Sequence, residues 1–455
     1  MTTTPKRVPV ACGAGAWTRL PQWSFAFLLA CAVAACGGGG GTSGTPAANP
    51  SSSTAPSAVA GDANAVPIYV DGGASASTSA IPNAIFTDIE ICAPGSSSNC
   101  AIIHHVLVDT GSVGLRLLAS AVNTANAALL GALPQASTAA GSVVGECLPF
   151  VSGVAWGGVR LVDLHWASAG YNGNAALNLP IQVIGDTDPR VAATPSSCTG
   201  QGTPLQSAST LGGNGVVGIG LFAQDCGATC AQVAAPIYYQ CAGAGAGSCS
   251  AIAMPVAQQI PNPVSAMASD NNGSLISLPA GAAPQASGLL VLGIGTRANN
   301  ALPSASAVLQ TDAGGYFTAS FNGNTLPRSF IDSGSSANFM PTTGTVSLPA
   351  CASGSLAGTG YLCPASSLTL TATSTGPSAT SATANVLVVN ANSAVAANPG
   401  YNVIPGLAAD GGRLGSNPTL DLGASFFFGH TIATLIENQS APGFSVNGPA
   451  FGYTQ

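Results

Sequence analysis

Two short stretches of this chain carry the residue types from which acid–base chemistry is built. Asp109-Thr110-Gly111-Ser112 and Asp332-Ser333-Gly334-Ser335-Ser336 share one layout: an apolar run, an aspartate, a hydroxyl residue, a glycine and a serine. They sit in HHVLVDTGSVGLRLL (104–118) and PRSFIDSGSSANFMP (327–341), one in each half of the chain. Only thirteen aspartates occur in 455 residues, so two in the same context read as a repeated unit. Gly111 and Gly334 permit a tight loop whose backbone N–H groups reach the carboxylate. Thr110 and Ser333 offer short hydroxyls able to cross-link two such loops through the opposite backbone. If the loops meet, Asp109 and Asp332 lie too close for both to ionise, so the pair shares one proton and titrates in two separated steps. One member then serves as general base towards a water, and the protonated member polarises a carbonyl.

Such loops must be held by strands, and the sequence supplies them. AIFTDIEIC (84–92), AIIHHVLVD (101–109), LPIQVIG (179–185), GLLVLGIG (288–295), ANVLVVN (384–390) and ASFFFGHTIATLIEN (424–438) contain short apolar runs bounded by turn residues, the pattern of strands. No helical stripe persists beyond two turns, although 120–131 and 253–260 are candidate short helices. The expected fold is mainly β, with an N-terminal lobe over 67–270 and a C-terminal lobe over 271–455.

With these motifs the chain resembles the pepsin-like, two-lobed aspartic proteases over most of residues 67–455. Val216-Val217-Gly218 and Leu422-Gly423-Ala424 look like the apolar-apolar-Gly elements that complete the two active-site loops of that family. Gly288-Leu289-Leu290-Val291-Leu292-Gly293 stands where the family opens its second lobe. The resemblance implies Asp109 and Asp332 as catalytic residues, supported by Thr110, Gly111, Ser112, Ser333, Gly334 and Ser335. It also implies a hairpin flap over the substrate. The matching segment is Leu148–Gly153 with Trp156 behind it, and Phe150 stands where the family has a tyrosine. Residues 188–210 and 226–260 are insertions on that pattern. The implied activity is hydrolysis of an extended polypeptide by a single copy of the chain, without metal or cofactor. The chain is also similar to uncharacterised bacterial lipoproteins of unknown function, so the alternative is an inactive surface lipoprotein that binds peptide or glycan between the lobes.

The N-terminus fits export. Lys6, Arg7 and Arg19 precede an apolar run from Trp23 to Ala35, thirteen residues and too short to span a bilayer as a helix. Val33-Ala34-Ala35-Cys36 resembles a lipobox, which makes 1–35 a signal segment and Cys36 the lipidated residue. Gly37 rather than Asp follows, the pattern expected for the outer membrane of the cell envelope. Residues 37–66 are rich in Gly, Ser and Pro and read as a flexible tether. Ten cysteines then remain: Cys92, Cys100, Cys147, Cys198, Cys226, Cys230, Cys241, Cys249, Cys351 and Cys363. An even count in an exported protein favours disulfides, and nearest-neighbour pairing is the simplest of the many connectivities.

Composition and motif context set aside other chemistries. After loss of the leader the chain has no lysine, and six arginines face sixteen acids for a net charge of −10. This excludes a P-loop, a Schiff-base lysine and a basic nucleic-acid surface. Gly213-Asn214-Gly215-Val216-Val217-Gly218 formally matches a dinucleotide fingerprint but lacks the βαβ context. His104 and His105 are adjacent in a strand and point to opposite faces, which does not suit one metal. Those two, His165 and His430 are read as core or surface residues, and Cys226-x3-Cys230 has no nearby histidine to make a zinc site. Ser112 lies outside a nucleophile elbow because Thr110 replaces the required glycine. Asp186, Asp188 and Asp421 are read as turn or surface acids.

Overall fold

The computed structural model describes residues 58–73, 81–166, 175–304, 306–415 and 418–454. The expected signal segment, Cys36 and most of the tether lie outside the described residues. Strands dominate. In chain order the first ten are β1 (Ala65–Val70), β2 (Phe86–Cys92), β3 (Cys100–Asp109), β4 (Val113–Leu118), β5 (Val143–Phe150), β6 (Gly153–Trp166), β7 (Ala176–Ile184), β8 (Gly215–Ile219), β9 (Tyr238–Cys241) and β10 (Cys249–Ala251). Next come β11 (Gly273–Ser277), β12 (Ala286–Leu292), β13 (Ser306–Gln310), β14 (Phe317–Phe321), β15 (Asn324–Asp332) and β16 (Asn338–Met340). The last are β17 (Leu368–Thr375), β18 (Ser381–Val388), β19 (Ala408–Asp410), β20 (Asp421–Gly423), β21 (Thr431–Leu435) and β22 (Ala450–Thr454).

In the first half, β2-β3-β8-β4-β7-β6 closes into a barrel because β6 also pairs with β2. The hairpin strand β5 extends from β6, with β9 and β10 beyond it. On the other side, β1 pairs with β2 and then, over its whole length, with β12, so the same sheet continues through β11, β21, β22 and β13. A second sheet, β18-β17-β14-β15-β20-β16-β19, belongs wholly to the second half. Among the described residues no helix is long and apolar enough to cross a membrane.

Burial explains the composition of the central strands. β4 and β8 are buried along their entire lengths and are built from Val, Leu, Ile and Gly, apart from Arg116. The solvent-facing β18 instead alternates exposed Ser, Thr, Asn and Leu with buried Ala and Val. One apolar cluster unites the halves, with Val108 and Val217 from the barrel and Ile331 and Leu422 from the second sheet. Each such buried aliphatic contributes about 2 kcal/mol.

Several expectations need correction. Residues 424–438 are not one strand: Ala424–Phe427 form a helical turn before β21. The candidate helix over 120–131 divides into Ala119–Ala125 and Leu129–Ala132. Over 253–260 only a 3-10 turn forms, Val256–Gln258, just after Pro255. The tether read to residue 66 ends earlier, because Ala65 and Val66 are buried in β1 and Ala58 packs against a core cluster. The five nearest-neighbour disulfides form: Cys92–Cys100, Cys147–Cys198, Cys226–Cys230, Cys241–Cys249 and Cys351–Cys363.

Candidate active site

The two aspartates end equivalent strands. β3 and β8 run parallel with Asp109 opposite Gly218, and β15 and β20 run parallel with Asp332 opposite Gly423. In each half the strand after the aspartate loop returns antiparallel to that inserted strand: β4 along β8, and β16 along β20. A further parallel neighbour follows, β7 beside β4 and β19 beside β16. The sequence repeat is therefore a repeat of topology. The glycines are required by contact. A Cβ on Gly218 would lie 2.6 Å from the Val113 nitrogen, and one on Gly423 would lie 2.0 Å from the Ala337 oxygen.

The loops grip one another. The Thr110 N–H donates to Ser333 Oγ at 3.0 Å, and the Ser333 N–H donates to Thr110 Oγ1 at 2.9 Å. Ser333 Oγ donates onward to the Val108 carbonyl at 2.7 Å, and Thr110 Oγ1 to the Ile331 carbonyl at 3.3 Å. Both side chains are buried, so losing one partner would strand a polar group away from water. Asn83 adds a tie between the halves: its side chain bonds the backbone N–H and carbonyl of Ile404 at 2.8 and 2.9 Å and the Ser425 hydroxyl at 3.0 Å.

This grip brings the carboxyls together. The Gly111 N–H donates both to Asp109 Oδ1 at 2.8 Å and to Asp332 Oδ1 at 3.1 Å. The Ser112 N–H reaches Asp109 Oδ1 at 3.1 Å, and its hydroxyl reaches Oδ2 at 2.5 Å. On the other side the Gly334 N–H donates to Asp332 Oδ1 at 2.7 Å, and the Ser335 hydroxyl to Oδ2 at 3.0 Å. No Cβ fits at either loop glycine: on Gly111 it would lie 2.6 Å from Asp332 Cγ, and on Gly334 2.7 Å from Asp109 Cγ. The Asp332 carboxyl is raised well above the usual carboxylate range by burial, then by the charge of Asp109 and a hydrogen bond with it.

The pair lies in the floor of a cavity of about 700 Å³. One wall is the β5–β6 hairpin, where Phe150 pairs with Gly153 across a two-residue turn and Val151 at its tip is 72% exposed. Leu148, Pro149, Phe150, Val151 and Ser152 all line the space. The flap candidate Phe150 thus faces the aspartates' cleft, and Trp156 is buried behind it, donating to the Val191 carbonyl at 2.7 Å. Tyr316, Phe330 and Phe339 line the cleft from the second half. The lining residues include no lysine, arginine or histidine.

Some polar residues stand where the sequence did not suggest. Asp186 is buried and takes a two-point ion pair from Arg160, both contacts at 2.7 Å, so it is no surface acid. Asp188 is partly exposed, and hydrogen bonds from Arg190 lower its pKa to about 2. Asp225 lines the cavity, but its carboxyl turns inward to Arg116 at 3.0 Å and to the Tyr238 hydroxyl at 2.8 Å. Arg116, fully buried in β4, also pairs with Glu146 at 2.7 Å. Burial, followed by the charge of Glu146, raises the Asp225 pKa despite Arg116. Asp421 departs furthest from its reading as a turn or surface acid. It is fully buried at the start of β20, and its pKa is raised first by burial and then by the charge of Asp332. Its signal in the sequence is a charge inside the apolar run Leu420-Asp421-Leu422-Gly423, where the first half has Val216-Val217-Gly218.

His104 and His105 bond different acids, Asp88 and Asp71, both at 2.8 Å. The formal dinucleotide fingerprint, Gly213–Gly218, runs into a strand, β8, rather than into a helix. Comparison with curated proteins gives no match. Residues 60–453, nearly the whole described chain, match a family described as a protein of unknown function (DUF3443), and the chain belongs to that family.

Proposed function

We propose that the protein is a pepsin-like aspartic endopeptidase with Asp109 and Asp332 as its dyad. The observation that carries this reading is the Gly111 N–H shared by both carboxyls, which puts two acids at one point of a cleft floor. One carboxylate removes a proton from water, whose oxygen attacks the peptide carbonyl carbon, while the protonated carboxyl donates to the carbonyl oxygen. The resulting gem-diol collapses as the C–N bond breaks and the amine leaves with a proton. The reciprocal Thr110–Ser333 bonds keep the reacting carboxyls in register, so little reorganisation accompanies proton transfer. The apolar cleft, free of basic lining residues, suits an extended polypeptide with uncharged side chains beneath the Phe150 hairpin. The lipobox-like Val33–Cys36 and the Gly/Ser/Pro-rich segment support tethering of the enzyme to the outer membrane by a lipidated Cys36.

The test is cleavage of an unfolded protein at mildly acidic pH by the purified chain. A statine-type transition-state mimic should inhibit it, and Asp109→Asn should abolish it. Equal behaviour of variant and native protein removes the peptidase reading. Retained peptide or glycan binding without cleavage would establish the cleft as a binding site alone.

A further inference from the structure

We propose that Arg328 receives a carboxylate of the bound polypeptide, about two to four residues from the bond held at the dyad. This deepens the endopeptidase reading by naming a substrate class, and rests on it for the occupant of the cleft. By strand alternation Arg328, Phe330 and Asp332 share one face of β15, while Ser329 and Ile331 are buried on the other. Phe330 and Asp332 line the cleft, so this face leads from the dyad to the rim. At about 3.3 Å per residue, Arg328 stands ~13 Å from Asp332. Its guanidinium lies over the ring of Tyr316, a cleft residue, 4.6 Å from the ring centre. Arg328 Nη2 also donates to the Tyr316 hydroxyl at 3.1 Å, and Tyr316 meets Phe330 edge to face at 6.1 Å.

The other arginines are spoken for. Arg116, Arg160, Arg190 and Arg297 are ion-paired within the chain, and Arg413 donates to the Gly358 carbonyl at 3.2 Å. Among the described residues no acid pairs with Arg328, which is exposed. Asp312, in the same turn as Tyr316, is committed to that turn: its Oδ1 accepts the Gly314 and Tyr316 N–H groups at 2.8 and 2.9 Å. The first half supplies the contrast. His105 stands as far before Asp109 as Arg328 does before Asp332, yet its Nε2 meets Asp71 Oδ2 at 2.8 Å. A position closed by an internal acid in one half is open in the other. A guanidinium offers a planar fork of N–H groups that fits a carboxylate, and stacking on Tyr316 fixes the plane of that fork before a ligand arrives. The apolar floor then takes uncharged side chains next to the cut, and Arg328 takes an acid farther out.

The experiment measures peptide binding by the purified full chain carrying Asp109→Asn, so that nothing is cut, at neutral pH, where a glutamate is ionised. The probes are short peptides of Ala, Leu and Phe, blocked at both ends, with a single glutamate or glutamine moved through each position. Glutamate at one position or two neighbouring ones should bind about fivefold more tightly than glutamine. Adding Arg328→Gln should bring that ratio to about one, and Arg328→Glu should reverse it. A neutral peptide with a free C-terminus separates the two sources of carboxylate: an equal gain there, lost in Arg328→Gln, makes the terminal group the one received. Arg328 is exposed, so its replacement leaves the core intact, and if one of the two variants fails to fold the other reads the same contact. No preference for a carboxylate, a preference that survives both replacements, or failure of every peptide to bind overturns the proposal. In the native chain the favoured glutamate should raise kcat/KM by a similar factor. Glutamate-dependent binding without cleavage would remove the endopeptidase reading and leave this one. Cleavage indifferent to glutamate would remove this one and leave the endopeptidase.

Discussion

The two aspartate loops stand on the same arrangement of four strands, yet what lies beneath them differs. Under the first loop the inserted strand β8 presents Val216 and Val217, both buried and apolar. Under the second, β20 presents Asp421 and Leu422. Asp109 takes its donors from its own loop, Gly111 and Ser112. Asp332 takes them from both loops and has a third carboxyl at its back. A duplicated scaffold thus gives the two acids equivalent places and unequal surroundings. That inequality is what a shared-proton pair needs if one member is to be acid and the other base.

The largest expected effect tests what the loops share. On the proposed endopeptidase reading, Asp109→Asn and Asp332→Asn should each reduce turnover by about a thousandfold or more, since that mechanism uses both carboxyls. A variant retaining a tenth of native turnover would break the equivalence. Next comes the disulfide contrast, since four of the five bridges lie in the first half. Cys147–Cys198 spans 51 residues and holds the hairpin strand β5, so its loss should cost about 4 kcal/mol in denaturant unfolding. Cys226–Cys230 spans only 4 and should cost about 2 kcal/mol.

Smaller effects sharpen the difference between the loops. Val216→Asp would give the first loop the buried acid of the second without its surroundings, at a cost of about 3 kcal/mol by chemical denaturation. Ser333→Ala should cost about 2 kcal/mol, because it leaves the buried Thr110 N–H and Val108 carbonyl without a partner. The smallest concerns pH. The folded-state pKa of Asp421 is raised, so the folded chain holds this proton more tightly than the unfolded chain. Its stabilising contribution is complete below the unfolded carboxyl value of about 3.9 and is lost as pH rises towards the folded value. Melting temperatures of Asp421→Val should therefore fall less than those of the native chain as pH rises from acid to neutral.

Much of this was legible in the sequence because short-range patterns encode it. The repeated Asp-hydroxyl-Gly-Ser units and the β-rich runs follow from local residue order, whereas the hairpin at Leu148–Gly153 is implied by the family resemblance and nearest-neighbour disulfides are the simplest of many connectivities. Asp421 was misread, and the burial of the turn acid Asp186 missed, because acids between apolar or turn residues look solvent-facing, and burial is decided by partners distant in sequence. Asp186 is buried by Arg160, which no local spacing reveals. The end of the tether was misplaced for a related reason. Ala65-Val66 looks like the last of a small-residue linker, but β12 pairs with it from far along the chain.

The most direct test of the central claim is the titration of Asp332 itself, followed by its carboxyl-carbon resonance in the native chain and in Asp109→Asn. Convergence on one proton predicts a midpoint well above the ordinary carboxylate value of about 3.9 in the native chain and a clear fall when Asp109 is replaced. An Asp332 that titrates near the ordinary value, or is indifferent to its neighbour's removal, would contradict it.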